Sequence, residues 1–315
     1  MKIAEVGMKI VEVEAKEYGE IFAKHAHTYN SVEFAQLNSH KAERLHHFVF
    51  DDGGARLGII LGERADGVMH SPFSAPFGGF TTNRPQQFEY FDTAVELLKE
   101  YGKKHNQRIA VTLPPDLYDR RQIPLAVNAL HRHAEKTLID VNYHFDLADF
   151  EHYILNLERN ARNKLNCALK EDLIFNKVER GDTGGAARAY GVIRRNREEH
   201  GYPLRMTCDE VMRTAEIIPA DFFLLSHGGR DVAAAQVFHV AEGICQLIYW
   251  GDLREYSGMR SMNLLAYRVF EHYRKQGLDI LDIGPATSDG VPNYGLCSFK
   301  KSIGCVASNK FSFLL

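Results

Sequence analysis

The sequence predicts an α/β (α+β) protein of two tandem domains, each a mixed, mainly antiparallel sheet flanked by helices. Three observations point there. Apolar, β-rich runs meet across short Gly-containing turns in both halves, the signature of hairpins. Amphipathic stretches with apolar residues at helical spacing alternate with those hairpins. The two halves repeat this order in similar form, which puts the boundary near Asp146 and gives domains of 1–146 and 147–315.

The first half opens with helical and mixed segments to about His40. HHFVF and ARLGIILGE come next, separated by Asp51-Asp52-Gly53-Gly54. HSPFSAPFGGF, rich in Pro and Gly, is read as a loop. FEYFDTAVELLKEYGKK is a helix, IAVTL a strand, and a further helix runs to about Lys136 before the strand TLIDVNYHFDL. The second half starts with DFEHYILNLERNARNKLNCALKED, expected as one long helix. Its apolar stripe is Phe150, Tyr153, Ile154, Leu157, Ala161, Leu165 and Ala168. IFNKVE, two helices and DFFLLSHGG lead to a hairpin of DVAAAQVFHV and ICQLIYWG across Ala241-Glu242-Gly243. A helix from about Gly258 to Gln276, stopped at Gly277, precedes the strand LDILDIG, a short helix in NYGLCSFKKSIG and a final strand NKFSFLL.

Composition bounds the function. Hydrophobic residues make up 45% and charged residues 25%, the balance of a soluble globular chain. With 38 Lys and Arg against 41 Asp and Glu the formal charge is −3, so no global basic field argues for DNA as a partner. Charges interrupt the first twenty residues, which predicts no signal peptide, and no run approaches the ~20 apolar residues of a membrane span. The five scattered cysteines have no CxxC spacing and read as reduced thiols, so a cytoplasmic location is expected. His25/His27 and His131/His133 lie two apart, wrong for one helical face, and no metal site is expected.

LDILDIGPATSDG resembles the start of a methyl-donor cofactor site. Such a loop must open a helix and be succeeded by more alternating strands and helices. Only one helix and one strand come after Gly290, and Pro285 stands where a permissive glycine is needed. That reading is set aside.

Three stretches carry another resemblance: RNARNKLNCALKEDLIF, MNLLAYRVFEHYRKQGLDILDIG and GLCSFKKSIG. In this order they resemble the back end of a GNAT-superfamily acyltransferase, and the chain resembles the tandem, FemABX-like arrangement of the Fem-type aminoacyltransferases. The resemblance covers most of the second half and reaches the first by architecture. It implies an N-acyltransferase moving an acyl or aminoacyl group to a small amine acceptor. The donor would be acyl-CoA, with aminoacyl-tRNA as the alternative and no tightly bound cofactor. A non-catalytic ligand-binding protein on the same fold is the competing reading, because two GNAT features are missing. RDVAAA and GDLREYSGMRS do not complete the CoA pyrophosphate loop. Lys300 stands four residues before Gly304, where a GNAT enzyme has Tyr and the Fem-like branch has Lys.

The resemblance and the residue types together name candidates. Lys300 would stabilise the oxyanion or a carrier phosphate, Asp282 would be the acid at the end of the buried strand, and Tyr294 a proton relay. Arg254, Ser257, Gly258 and Arg260 would hold an anion at a helix N-terminus. Arg162 and Asn163 lie on the polar face of the long helix. Tyr249 and Trp250 would line the pocket, with Phe77 and Gly78 in an acceptor-contacting loop. Each has a plainer reading as a surface charge, a turn cap or a packed aromatic.

Overall fold

In a computed structural model the chain is described for residues 7–315; the opening Met1–Val6, part of the mixed N-terminal segment, lies outside the described residues. In chain order the elements are β1 (Lys9–Glu12), α1 (Ala15–Ile21), α2 (Val32–Leu37), β2 (Arg44–Asp51), β3 (Ala55–Glu63), β4 (Val68–Ser71), β5 (Phe80–Thr81), α3 (Phe88–His105), β6 (Arg108–Thr112), α4 (Ile123–His133) and β7 (Lys136–Asp146). After these come α5 (Tyr153–Asn156), α6 (Arg159–Ala168), β8 (Ile174–Lys177), α7 (Thr183–His200), α8 (Cys208–Ile217), β9 (Ala220–His227), β10 (Arg230–Ala241), β11 (Ile244–Asp252), α9 (Ser261–Lys275), β12 (Ile280–Pro285), β13 (Thr287–Ser288), β14 (Val291–Pro292), α10 (Tyr294–Ser302) and β15 (Val306–Leu314).

The chain divides into two units. The first holds the described residues to Val141 together with Thr287–Val291 and Ser308–Leu315; the second holds Asn142–Ala286 and Pro292–Ala307. The linear division at Asp146 therefore leaves two C-terminal pieces on the wrong side. A strand belongs with its hydrogen-bonding partner, and β15 pairs with β6, Phe313 facing Val111.

In the first unit the strand order is β1-β2-β3-β4-β6-β15, with β5 against β3. The β2–β3 hairpin forms as the DDGG turn predicts, with Gly53 at φ +101° supplying a conformation that costs an L-residue energy. One sheet face packs Phe48, Leu57, Ile59 and Phe313 against Phe91, Val95 and Leu98 of α3 and Leu130 of α4. The other packs Val49 and Ile60 against Tyr18, Phe22 and Ala35.

In the second unit the order is β7-β12-β11-β10-β9-β8. Alternation along β10, β11 and β12 sorts their side chains to two faces. Ala235, Leu247, Leu281 and Ile283 meet Leu165 of α6 and Leu265, Val269 and Phe270 of α9. Ala234 and Tyr249 meet Ala189 and Ile193 of α7 and Val211 of α8. Each fully buried Leu, Ile or Phe of this kind contributes about 1.5–3 kcal/mol.

Two helix expectations are corrected. The stretch 149–172 is a short 3-10 turn, α5 and α6, because Leu157 and Glu158 are extended (ψ 137° and 149°) and break the ladder. The break lets Leu157 bury while Ile154 stays exposed. The helix expected from Gly258 begins at Ser261; residues Arg254–Met259 form a 3-10 turn and Arg260 sits in the left-handed region at φ 58°.

Candidate functional site

The site grows out of one irregularity in the second unit. β11 and β12 pair in parallel through Ile244↔Ile280, Cys245↔Leu281 and Gln246↔Asp282, and the register goes no further. β11 runs on to Asp252 and carries a bulge at Ile248, because Gln236 pairs with Tyr249 while Val237 pairs with Leu247. A bulge bends its strand and re-aims the residues beyond it. β12 has its own irregularity between Asp282 and Pro285 against β7. Beyond Gln246 the two strands thus leave a wedge. Gly284 is buried at φ +74°, and nothing lies within 4 Å of where its Cβ would stand, so the turn leaves an empty space there.

Carbonyls on a strand that has lost its neighbour need another donor. Lys300, near the end of α10, supplies it: Nζ donates to the carbonyls of Ile283 and Gly284 at 2.8 Å and of Pro285 at 2.9 Å. The side chain is 3% exposed and its ammonium lies 5.8 Å from the Tyr143 ring. Burial pushes the ammonium down to about 8, against the opposing pull of the Asp282 charge. All three donors are committed to backbone, so Lys300 acts as a clasp that shapes the wedge rather than as the free oxyanion donor expected of it.

Asp282, fully buried, is equally engaged. One carboxylate oxygen accepts from Asn142 Nδ2 at 2.8 Å and from the Gly284 N–H at 2.9 Å; the other accepts from Gln246 Nε2 at 2.9 Å. It anchors the turn at Gly284 and is no open base. Gln246, Asp282, Asn142 and His144 are all buried, so the sheet carries a polar row just below the wedge. The row continues on β10 at Gln236, 0% exposed, whose amide N and O both lack a partner. Arg197 of α7 completes this side. It stacks over Tyr249 at 5.4 Å and Tyr202 at 5.8 Å, makes no ion pair among the described residues, and has a buried, unpartnered Nε.

The other expected residues are dispersed. Tyr294 opens α10 at 78% exposure and is solvated rather than walled in as a relay. Arg162 donates to the carbonyls of Leu155 and Leu157 at 2.9 and 3.0 Å, capping the end of α5 instead of a phosphate; Asn163 is exposed. Trp250 points to the α9 face, 5.7 Å from Phe299, so Tyr249 and Trp250 serve opposite sides of the sheet. Phe77 and Gly78 belong to the first unit. Phe77 is buried 4.7 Å from Tyr118, and a Cβ on Gly78 would strike Ser71, so both anchor their loop.

At the start of α9, Ser261 donates to the Asp252 carboxylate at 2.5 Å, and burial raises the Asp252 pKa. The Arg254 N–H donates to Glu199, and Ser257 donates to the Arg254 carbonyl. Two carboxylates thus occupy the place expected for an anion. Gly258 opens onto free space in the turn, and neither Arg254 nor Arg260 forms an ion pair among the described residues. Among the described residues no group of His, Cys, Asp and Glu is suited to a metal ion, and no helix is long and apolar enough to cross a membrane.

Gln236, Gln246, Asn142 and Arg197 escaped sequence reasoning. The available signal was a glutamine inside the apolar run AAAQVF, since an interior polar residue on a strand demands a partner.

No family model matches the chain, and no curated protein matches it in sequence. Solved structures do. FemX superposes with a TM-score of 0.68 at 14% identity, covering 98% of this chain and 97% of that one. L-PGS from Bacillus licheniformis gives 0.59 at 13%, covering 96% and 91%. A tandem GNAT protein from the clavulanic acid biosynthesis pathway gives 0.55 at 11%, covering 98% of each. At such identities the likeness is one of fold, and it agrees with the three stretches picked out in the sequence. The chain therefore has the GNAT-like, Fem-type fold.

Proposed function

We propose that the chain is an acyltransferase that moves an acyl or aminoacyl group from an activated carrier to an amine in the wedge of its second unit. The observation that carries this reading is the parting of β11 from β12 after Gln246↔Asp282, with Lys300 clasping the freed carbonyls. A neutral amine attacks the carrier's carbonyl carbon, forming the C–N bond. The carbonyl oxygen becomes an oxyanion, and its collapse breaks the bond to the carrier, which leaves with the amine's proton. Backbone N–H groups on the β11 edge past the bulge are suited to the oxyanion, because they are fixed and need no reorganisation. Lys300 and Asp282 hold Ile283–Pro285 opposite that edge as positioning residues.

An aminoacyl-tRNA donor is preferred to acyl-CoA. Asp252 and Glu199 place negative charge at the start of α9, where a CoA pyrophosphate would lie, and like charges in a partly buried place repel. Acyl-CoA is the second reading, favoured by the uncommitted Arg254 and Arg260 beside them. The test is a transfer assay read by mass spectrometry, with mixed charged tRNA, acetyl-CoA and longer acyl-CoAs against a panel of primary amines. Aminoacylated amine from charged tRNA, lost in Lys300→Met with the fold intact by circular dichroism, is the expected result. Product from a thioester selects the second reading; no product from any donor sinks the proposal.

A further inference from the structure

We propose that the amine acceptor carries an oxyanion, a carboxylate or a phosphate, which Arg197 and Gln236 grip on the α7 side of the wedge. This rests on the transferase reading and names the substrate class of that site. Both residues adjoin Tyr249. Gln236 is its cross-strand partner on β10, on the same sheet face, and Arg197 lies over its ring. The pairing occurs at the bulge, where β11 turns away from β12.

Each residue carries an unmet demand. A carboxamide that is 0% exposed with neither N nor O bonded costs folding free energy, as does the sealed Nε of Arg197. Two aromatic faces hold the guanidinium plane without supplying an acceptor. The acidic neighbours of α7 are committed elsewhere: Glu199 takes Arg195 and the Arg254 N–H, and Asp252 takes Ser261. A planar, unpaired guanidinium beside an amide donor matches an oxyanion, which it can bind in bidentate fashion. It matches an uncharged amine poorly. Tyr249, which both residues adjoin, pairs with Gln236 at the bulge beyond the last β11–β12 pair, so the cluster belongs to the wedge.

The intact chain is titrated with an α-amino acid, its primary amide, O-phosphoethanolamine and ethanolamine, with thermal unfolding as the readout, and the same four are offered as acceptors. The oxyanion-bearing amines should raise the midpoint while the amide and ethanolamine leave it unmoved; which of the two binds tells carboxylate from phosphate. Arg197→Gln should raise the acceptor KM about 10- to 100-fold with little change in kcat, and Arg197→Lys should recover part of the loss. Gln236→Leu should leave the empty protein as stable or more so, because it removes an unsatisfied buried amide, yet weaken the same acceptors. Equal shifts from uncharged amines, no shift from any amine, or an unchanged KM in both Arg197→Gln and Gln236→Leu would overturn the proposal. Oxyanion binding without transfer would instead sink the transferase reading and leave this pocket standing.

Discussion

Lys300 is held where its charge is costly, and that has two opposite consequences above pH 8. Burial sets its folded-state pKa near 8, below the ~10.4 of a free lysine. Between those values the unfolded chain binds more protons, so this residue's contribution to stability rises with pH through the window; below about 8 its full cost is present. The neutral amine can no longer donate to all three carbonyls, so activity should fall on the alkaline side with an apparent pKa near 8. Stability against pH in wild type and Lys300→Met gives the first slope as a difference, and a pH–rate profile gives the second. A second charged site is purely structural. Asp221 accepts from His239 at 2.7 Å and Tyr273 at 3.0 Å and pairs with Lys177 at 2.8 Å. Burial would raise its pKa, but the bonds and charges of His239 and Lys177 outweigh it and hold the carboxyl well below the usual range. A depressed carboxylate stabilises above its unfolded pKa of ~3.9 and loses that contribution as pH falls toward the folded value. Asp221→Asn should cost about 2–3 kcal/mol by urea denaturation at pH 7, less than for a sealed pair because Lys177 and His239 are partly solvated. Cys245 lies 3.3 Å from His239, yet it is fully buried and its thiol pKa is raised, so this trio is no nucleophile.

At the scale of elements, the α7–α8 connection brings Tyr202 to the site, and its exit is set by a local rule legible in the letters TCDE. Thr207 accepts from the Glu210 N–H while Glu210 accepts from the Thr207 N–H, a full capping box at the start of α8. Thr207→Ala should cost about 1 kcal/mol, read as a lower denaturation midpoint. The helix–hairpin succession and the β2–β3 and β10–β11 turns were equally legible, because period and turn chemistry are local. The break at Leu157–Glu158 was not. The apolar spacing continues straight through it, and only burial of Leu157 in the core favours two short helices over one long one.

For the whole molecule, chain order and spatial grouping part company at the C-terminus. β15 pairs with β6, and Phe313 and Leu315 lie in the first unit's core, where Leu315 exchanges backbone hydrogen bonds with Ile109. Residues 1–146 expressed alone should therefore be insoluble or unfolded. The same piece with 308–315 appended through a flexible linker should recover a cooperative thermal transition, as scanning calorimetry would report. Failure of the appended strand to help would mean that the first unit does not depend on it.

By itself the sequence determined the fold class: the order of most strands and helices, which turns join hairpins, and that a lysine stands before the last glycine in an ordered set of family-like stretches. These depend on residues a few positions apart. Tertiary structure alone decided that Lys300 spends its donors on backbone, that Gln236 and Arg197 stand unsatisfied around Tyr249, and that the final strand belongs with residues two hundred positions earlier. Burial and partnership arise between distant segments, and no local period encodes them.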